Sequence, residues 1–350
     1  MANDVMQAGV YAGPGRMAVE SRPIPRPGAG EVLVRVRACG ICGSDLSALH
    51  AQPPFLPHGL ILGHEASGIV QAVGKDVSGY SGGERVVIEP LLTCGTCSYC
   101  ASGRDSICRS LEILGVHTDG AFAEYVVAPA RRLYRIPDEM DYRLASLTEP
   151  AAIAVHGLRV GGFRPGARIL VLGAGMIGLA TVAAARAWGA GEILLTARYP
   201  HQAELGRALG ATQVLSEQES TREALDRLGI ERPIEMVVET VGGHADTLTL
   251  AGAAIAPGGT AAILGLWFEP APIDALTLIH KEARLQFANC YYTRESGKSD
   301  FEEAMRLIAK NPSLWSAMST HFVPLDQINQ GFELASTKKT GAVKVTVMVE

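Results

Sequence analysis

The stretch Arg168-Ile-Leu-Val-Leu172-Gly173-Ala-Gly175-Met176-Ile177-Gly178 decides the fold of the middle of this chain. Residues 168–172 predict a buried strand, and residues 176–188 predict a helix. Gly173 permits a tight turn, Gly175 lets the backbone approach an anion, and Gly178 allows the helix to pack closely on the strand. The helix N-terminus, with Met176 and Ile177, would face that anion. A strand, this turn and a helix in that order predict a dinucleotide site, and the alternative is a structural turn without a ligand.

Strand-type and helix-type sequence alternates beyond this turn. Residues 192–196, 236–239 and 260–264 read as strands, and a helix over 202–209 is expected to end at Gly210. Such alternation predicts right-handed crossovers and a doubly wound parallel sheet. The alternation stops near Gln286.

The regions on either side of this segment have a different sequence pattern. The first 150 residues contain short strand-type runs separated by glycines, at 31–37, 69–73, 85–88 and 124–127. The tail holds a helix over 301–309 and an alternating strand over 342–349, which is expected to return to the first domain. We therefore predict two domains, one formed by residues 1–150 and 289–350 and the other by residues 151–288.

Composition excludes several classes of protein. Of 350 residues, 47% are hydrophobic and 19% are charged, as in globular proteins. A net charge of −5 argues against a nucleic-acid partner, which requires clustered Lys and Arg. No apolar run reaches the roughly 18 residues that a membrane span needs. No signal peptide is recognisable at the N-terminus, so we expect a cytoplasmic protein without a membrane partner.

Four of the seven cysteines lie within 15 residues, in the spacing Cys94-x2-Cys97-x2-Cys100-x7-Cys108. Four thiolates at this spacing can enclose one tetrahedral zinc ion, which makes a structural site in a lobe over residues 90–110. A nucleic-acid-binding zinc ribbon is the alternative, but the run has few basic side chains. A disulfide pair is less expected without export. Cys39 and Cys290 are interpreted as ordinary buried thiols.

A second group of metal ligands is predicted around Cys42 and His64. Cys42 lies in Gly40-Ile-Cys-Gly-Ser44-Asp45, and His64 follows 22 residues later in Gly63-His64-Glu65. A catalytic zinc ion needs three protein ligands and one open position, and the third ligand is either Glu149 or Glu65. Asp45 would orient the His64 imidazole. The alternative is a buried thiol and a core histidine without a metal.

The end of the second strand of the predicted nucleotide-binding domain bears on the choice of cofactor. NAD sites usually have an acidic residue about 20 residues past the glycines, where this chain has Ala197 followed by Arg198. No carboxylate at that position would repel a 2′-phosphate, and the Arg198 guanidinium could pair with it. We predict a preference for NADP over NAD. The alternative is that Arg198 is a surface charge and that selectivity is loose.

These motifs, in this order along the whole chain, resemble the zinc-containing medium-chain alcohol dehydrogenases, and most of all the sorbitol, butanediol and threonine dehydrogenase branch, which carries Glu at the position of Glu149. The resemblance implies a GroES-like, β-rich catalytic domain, an inserted Rossmann domain, two zinc ions per chain, and homodimers or homotetramers. It implies that Ser44 takes the substrate proton. It places Lys344 near the cofactor pyrophosphate, and Gly265 and Leu266 near the nicotinamide. One departure is Ser47, where relatives often have a histidine that relays the proton.

The expected activity is zinc-dependent hydride transfer between NADP or NAD and a secondary alcohol or polyol. An aldehyde or primary-alcohol reductase is the alternative on the same scaffold, with an apolar pocket shaped by bulky side chains: Phe55, Leu56, Leu266, Trp267 and Phe268. A catalytically silent nucleotide-binding protein is the remaining alternative, against which the set Cys42, Ser44, His64 and Glu149 argues.

Overall fold

The structure, a computed structural model, describes residues 4–51, 55–292 and 299–350. It separates into two units. One contains the chain up to Glu149 together with the described residues after Tyr292, and the other spans Pro150–Tyr292. No helix in the described part of the chain combines the length and apolar character needed to cross a bilayer.

The first unit begins with short strands and three short helices. They are β1 (Val5–Tyr11), β2 (Met17–Pro23), β3 (Glu31–Gly40), α1 (Gly43–His50), β4 (Glu65–Val73), β5 (Arg85–Ile88), β6 (Leu91–Leu92), α2 (Ser98–Ala101), β7 (Glu112–Ile113), β8 (Tyr125–Pro129), β9 (Leu133–Arg135) and α3 (Tyr142–Ala145). Along β3, Val32, Val34 and Val36 are fully buried, whereas Arg35 and Arg37 are partly exposed. The predicted alternation is confirmed there, because one face of the strand covers a core and the other does not.

The second unit alternates helices and strands, as predicted. They are α4 (Thr148–Val160), β10 (Arg168–Leu172), α5 (Met176–Ala187), β11 (Glu192–Thr196), α6 (Pro200–Leu209), β12 (Gln213–Leu215), α7 (Arg222–Glu231), β13 (Met236–Glu239), α8 (Thr247–Ala254), β14 (Thr260–Ile263), α9 (Ala275–Lys281) and β15 (Arg284–Phe287). The strand order is β12-β11-β10-β13-β14-β15, and every pair is parallel. The order reverses between β10 and β13, where ligands bind in open sheets of this kind.

The strand β15 was not indicated by the sequence pattern. It pairs with β14 at the edge of the sheet, and three of its four residues are exposed. A strand without a buried run lacks the apolar signal by which the other strands of this sheet were recognised.

The C-terminal part of the chain completes the first unit. It contains α10 (Asp300–Lys310), α11 (Pro312–Ser316), β16 (Ser319–Pro324), α12 (Ile328–Ser336) and β17 (Lys344–Met348). The sheet runs β16-β17-β3-β4-β5-β9, and β8 also pairs with β3. β17 lies antiparallel to β3, with Thr346 opposite Gly40. The predicted return of the last strand to the first domain is confirmed, and it brings the end of the chain beside the turn that carries Cys42.

Candidate active site

The turn between β3 and α1 fixes the position of Cys42. Cys42 is the N-cap of α1, and its backbone N–H donates to the Asp45 carboxylate at 2.9 Å. A carboxylate in the first turn accepts a hydrogen bond from a free backbone N–H, and its negative charge interacts favourably with the positive N-terminal end of the helix dipole. Asp45 is buried, so the hydrogen bond that fixes this turn lies in the interior of the unit.

His64 is brought to Cys42 by the pairing of β3 with β4. Glu65 is opposite Gly40 in that register, and Gly63 precedes with φ +95°. A Cβ on Gly63 would lie 2.8 Å from Cγ of Phe122, so only glycine fits there. As a result, one ligand atom from each of Cys42, His64 and Glu65 lies within 4.8 Å of the others.

The His64 ring is held by polar groups on both sides. Its Nδ1 lies 3.5 Å from the Asp45 carboxylate, and its Nε2 lies 3.5 Å from Oγ of Ser44. Burial lowers the pKa of His64, but Asp45, Cys42 and Glu149 outweigh it and hold that pKa well above its usual value. Surroundings that favour a proton on this imidazole also favour a metal cation beside it. A histidine that turns one ring nitrogen to a carboxylate is typical of metal sites.

Glu65 is also paired with a cation, which the sequence did not reveal. Nζ of Lys344 lies 2.6 and 2.7 Å from the two Glu65 oxygens and donates to the Ile41 carbonyl at 3.0 Å. Both side chains are almost fully buried. A Cβ on Gly40 would lie 1.9 Å from Oε2 of Glu65, so the pair fits only beside glycine. The contact of Lys344 with a cofactor pyrophosphate stays a prediction.

Glu149 is buried in the first turn of α4. It is not a member of the group formed by Cys42, His64 and Glu65. Its charge nevertheless raises the pKa of both His64 and Lys344. Glu149 is therefore part of the electrostatic environment of the cluster.

Ser47 stands where relatives often have a relay histidine, and His50 is the histidine that follows it on α1. Oγ of Ser47 donates to the Gly43 carbonyl within α1 at 3.1 Å. His50 is exposed at the end of the same helix. Neither the hydrogen bond of Ser47 nor the exposed position of His50 indicates a role in proton relay.

The four cysteines of the 90–110 lobe come together. Their sulfur atoms lie within 4.8 Å of one another, with separations such as 3.5 Å for Cys94–Cys108 and 3.6 Å for Cys97–Cys100. Four sulfurs bound to one zinc ion at about 2.3 Å would lie about 3.8 Å apart, so the set fits this metal. All seven cysteines of the described chain are free thiols, which excludes a disulfide here.

The ionisation of these thiols also points to a cation. Hydrogen bonds from Thr96 and Cys97 lower the pKa of Cys94 to about 6. Burial and the neighbouring thiols raise the pKa of Cys100 to about 12. Four adjacent thiolates therefore need a positive ion to be stable together.

A buried arginine, not recognised in the sequence, joins this lobe to the sheet. Arg132 pairs with Glu89 and also contacts Asp105 at 2.5 Å and Oγ1 of Thr93 at 2.6 Å. Tyr134 donates to the other Glu89 oxygen at 2.6 Å. Thr93 and Asp105 belong to the lobe, whereas Glu89 follows β5, so the network fixes the base of the lobe.

The glycine turn of the second unit has the expected geometry. Gly173 has φ +99°, and a Cβ on Gly178 would lie 1.9 Å from the Gly173 carbonyl oxygen. A Cβ on Gly175 would meet no atom within 4 Å, which leaves open space at the helix N-terminus. Met176 is buried and Ile177 is half-buried in the first turn of α5. A phosphate group fits this arrangement.

The end of β11 carries Ala197 and Arg198 beyond Thr196, whose Oγ1 accepts from the Gly173 N–H at 2.8 Å. Nε of Arg198 lies 3.1 Å from Oε1 of Glu217, and both side chains are more than half exposed. Glu217 follows β12, the neighbour of β11. Arg198 is thus paired with a carboxylate from the segment after the neighbouring strand, which the sequence spacing did not indicate.

The side chains proposed for an apolar pocket differ in burial. Leu56 is buried in the core of the first unit. Phe55, Leu266 and Phe268 are 54%, 55% and 64% exposed, whereas Trp267 is partly buried against the core of the second unit. Leu56 is therefore a core residue, whereas the exposed side chains of Phe55, Leu266 and Phe268 could contact a ligand.

Comparison with protein families gives two matches. Residues 28–138 match the alcohol dehydrogenase GroES-like domain, and residues 177–310 match the zinc-binding dehydrogenase domain. The first range contains both clusters of metal ligands except Glu149, and the second contains most of the parallel sheet.

Curated relatives cover most of the chain. It is 35% identical to a sorbitol dehydrogenase of Bacillus subtilis over 75% of each chain. It is 34% identical to an L-threonine 3-dehydrogenase of the same species over 92% of each chain.

Solved structures agree in fold. A putative zinc-binding dehydrogenase from Sinorhizobium meliloti, bound to NADP, has a TM-score of 0.87 and 31% identity over 98% of this chain and 99% of that one. An alcohol dehydrogenase from Escherichia coli, complexed with NADH, has a TM-score of 0.89 and 26% identity over 99% and 100%.

Proposed function

This chain belongs to the zinc-containing medium-chain alcohol dehydrogenases, and we propose that Cys42 and His64 hold the zinc ion of its catalytic centre. It is an oxidoreductase that uses zinc and a nicotinamide cofactor and acts on secondary alcohols or polyols and the corresponding ketones. The observation that carries the assignment of the centre is that a ligand atom of Cys42 and one of His64 lie within 4.8 Å of each other.

The residues around the centre divide the work. A zinc ion bound there would supply Lewis acidity toward the substrate oxygen. Ser44, whose Oγ lies 3.5 Å from Nε2 of His64, would hold the hydroxyl proton of the substrate. Asp45 holds the His64 ring through Nδ1 and fixes α1 through the Cys42 N–H. A nicotinamide cofactor bound to the second unit would supply the hydride donor or acceptor.

Glu149 is the better third ligand. Both oxygens of Glu65 are already bonded to the Lys344 ammonium, which neutralises that carboxylate. Moving Glu65 to the metal would leave the buried Lys344 cation without its partner, at a cost of several kcal/mol. We propose that Glu65 and Lys344 form a neutral support for the site, while Glu149 completes the ligand set.

The second cluster, Cys94, Cys97, Cys100 and Cys108, is proposed to hold a structural zinc ion. Four sulfur ligands leave no open position for a substrate. The chain would then bind two zinc ions, and metal analysis of the purified protein measures that number directly.

We further propose that the enzyme prefers NADP. Arg198 offers a guanidinium at the end of β11, where the adenine ribose is expected, and Ala197 offers no carboxylate. Glu217 moderates this preference, because its charge lies beside Arg198. Two unit charges 4 Å apart in water interact by about 1 kcal/mol, or roughly fivefold in affinity.

E217Q tests this proposal. The ratio of kcat/KM for NADP to that for NAD should rise by roughly fivefold, because a repulsive charge near the 2′-phosphate is removed. E204Q removes an equal charge from the exposed face of α6 and should leave the ratio unchanged. A parent enzyme that clearly prefers NAD, together with an unchanged ratio in E217Q, would contradict the cofactor assignment.

A homodimer or homotetramer is proposed from the edge of the parallel sheet. β15 has a neighbour on one side only, and Phe287 on it is 56% exposed. Leu276 and Ile279 on the preceding α9 are 63% and 68% exposed. An unprotected strand edge with large apolar side chains beside it favours pairing with a second copy. Sedimentation of F287D against the parent protein tests this interface, and an unchanged mass would contradict it.

A panel of polyols, diols, amino alcohols, cyclitols and aldehydes, assayed with both cofactors, identifies the class of substrate. Turnover of a secondary alcohol or polyol that is lost in C42A supports the proposed centre. A protein that prefers aldehydes in this panel would instead be the reductase alternative, and full activity in C42A would contradict the assignment of zinc to Cys42.

A further inference from the structure

Glu239, the last residue of β13, is a fully buried carboxylate with four neutral hydrogen-bond donors. Its Oε1 accepts from the backbone N–H groups of Val241 and Gly242, at 2.8 and 3.0 Å, and from Oγ1 of Thr247 at 2.7 Å. Its Oε2 accepts from the N–H of Gly265 at 3.2 Å. No Lys, Arg or His among the described residues forms an ion pair with it.

Burial of such a carboxylate lowers the free energy of unfolding unless other interactions compensate. A charge taken out of water without a cationic partner is tolerated only when hydrogen bonds compensate for the lost hydration. Hydrogen bonds to an ionised group are about twice as strong as neutral ones, and Glu239 has four of them. Three of the donors belong to two loops, Val241 and Gly242 after β13 and Gly265 after β14, and the fourth, Thr247, is the first residue of α8. The carboxylate therefore fixes the two loops to each other and to the start of α8.

The loop after β13 also packs on the glycine turn. Oγ1 of Thr240 donates to the Leu172 carbonyl at 2.8 Å. A Cβ on Gly173 would lie 2.5 Å from Cγ2 of Val241. The residues that follow Glu239 therefore lie directly against the turn proposed to bind the pyrophosphate.

The same loop contacts the loop after β14. The N–H of Gly243 donates to the Leu266 carbonyl at 2.8 Å. A Cβ on Gly242 would lie 2.5 Å from the backbone nitrogen of Leu266, and one on Gly265 would lie 2.4 Å from Oε2 of Glu239. Glycine and the buried carboxylate thus allow three backbone segments to approach within van der Waals contact.

A dinucleotide bound at this edge would lie across the reversal point between β10 and β13. Its adenosine half belongs on the side of β11 and Arg198, so its nicotinamide half belongs on the side of β13 and β14. We propose that Glu239 is a positioning residue that fixes the nicotinamide-side loops relative to the glycine turn, without touching the reacting atoms. This inference rests on the proposed use of a nicotinamide cofactor.

E239Q tests the inference. The variant keeps the shape of the side chain, but its amide nitrogen must face at least one backbone N–H in either orientation, because backbone N–H groups contact both oxygens and cannot accept a hydrogen bond. The dissociation constant of the reduced cofactor should rise by about tenfold, and kcat should fall. Binding of the fragment without nicotinamide, ADP-ribose for NADH or 2′-phospho-ADP-ribose for NADPH, should stay near the parent value.

Two further variants make the result decisive. E235Q changes an exposed carboxylate just before the other end of β13 and should affect neither ligand. T247V removes only one of the four hydrogen bonds and should show the same selective loss, to a smaller degree, if E239Q does not fold. Equal losses for cofactor and fragment, or none, in the folded variant would overturn the positioning role. Failure of the parent protein to bind either cofactor would instead overturn the proposed function.

Discussion

The cluster around Cys42 and His64 differs from the four-cysteine lobe in what holds its ligands in place. Cys42 and His64 are fixed by the pairing of β3 with β4, and buried Asp45 and Lys344 add hydrogen bonds around them. The lobe has only a short helix and loops between its ligands. Hydrogen bonds of the sheet can maintain the first cluster without a metal, whereas we expect the second cluster to need a bound ion for its structure.

The two clusters also differ in the chemical type of their ligand atoms. The first cluster mixes sulfur, nitrogen and oxygen, and the lobe is all sulfur. A mixed set with three ligands leaves a position for a substrate, and a complete set of four thiolates does not. The comparison therefore predicts that damage to the first cluster affects turnover and that damage to the second affects folding.

The largest effect is expected for C42A. Loss of the metal's Lewis acidity removes several kcal/mol of transition-state stabilisation, so kcat/KM should fall by roughly 10³-fold. Metal analysis should show one zinc ion instead of two, and thermal unfolding should change little because the lobe is intact. C290S, which removes a thiol outside both clusters, is the matched control. A C42A protein that keeps two zinc ions would refute the division of roles.

A smaller effect separates the two candidate third ligands. E149Q should lose zinc from the first cluster at chelator concentrations that leave E65Q loaded, with a difference in affinity of at least about tenfold. The physical reason is the Lys344 ammonium, which is bonded to both oxygens of Glu65. The lobe zinc serves as an internal reference in each titration. If E65Q loses the metal first, Glu65 and not Glu149 completes the site.

Local patterns in the sequence predicted which side chains come together in the two clusters, because both patterns have the spacing of zinc ligands. The strand, glycine turn and helix over 168–187 were likewise predicted, since each signal lies within a few residues of the next. The alternating pattern of the last strand, with valine at every second position from Val343 to Val349, led to the prediction that it returns to the first domain, which the pairing with β3 confirms.

Contacts between distant segments were not predictable in this way. Lys344 meets Glu65 only because β17, β3 and β4 pair in one particular register, and 279 residues separate the two side chains. Arg132 and Glu239 are similar cases, since their partners come from other strands and loops.

The smallest effect on turnover is expected for C100S, in the lobe. Three thiolates hold zinc more weakly than four, so the lobe should lose its ion and become a site of proteolysis within residues 90–110. Turnover per remaining zinc ion should stay close to the parent value, because Cys42 and His64 are held by the sheet. Arg132 should keep the base of the lobe attached through Glu89, so that R132M combined with C100S releases the segment further. Limited proteolysis followed by mass measurement locates the cuts. If C100S instead abolished turnover while the protein stayed folded and resistant to cleavage, the two clusters would be coupled, and the separation between a catalytic and a structural metal would be wrong.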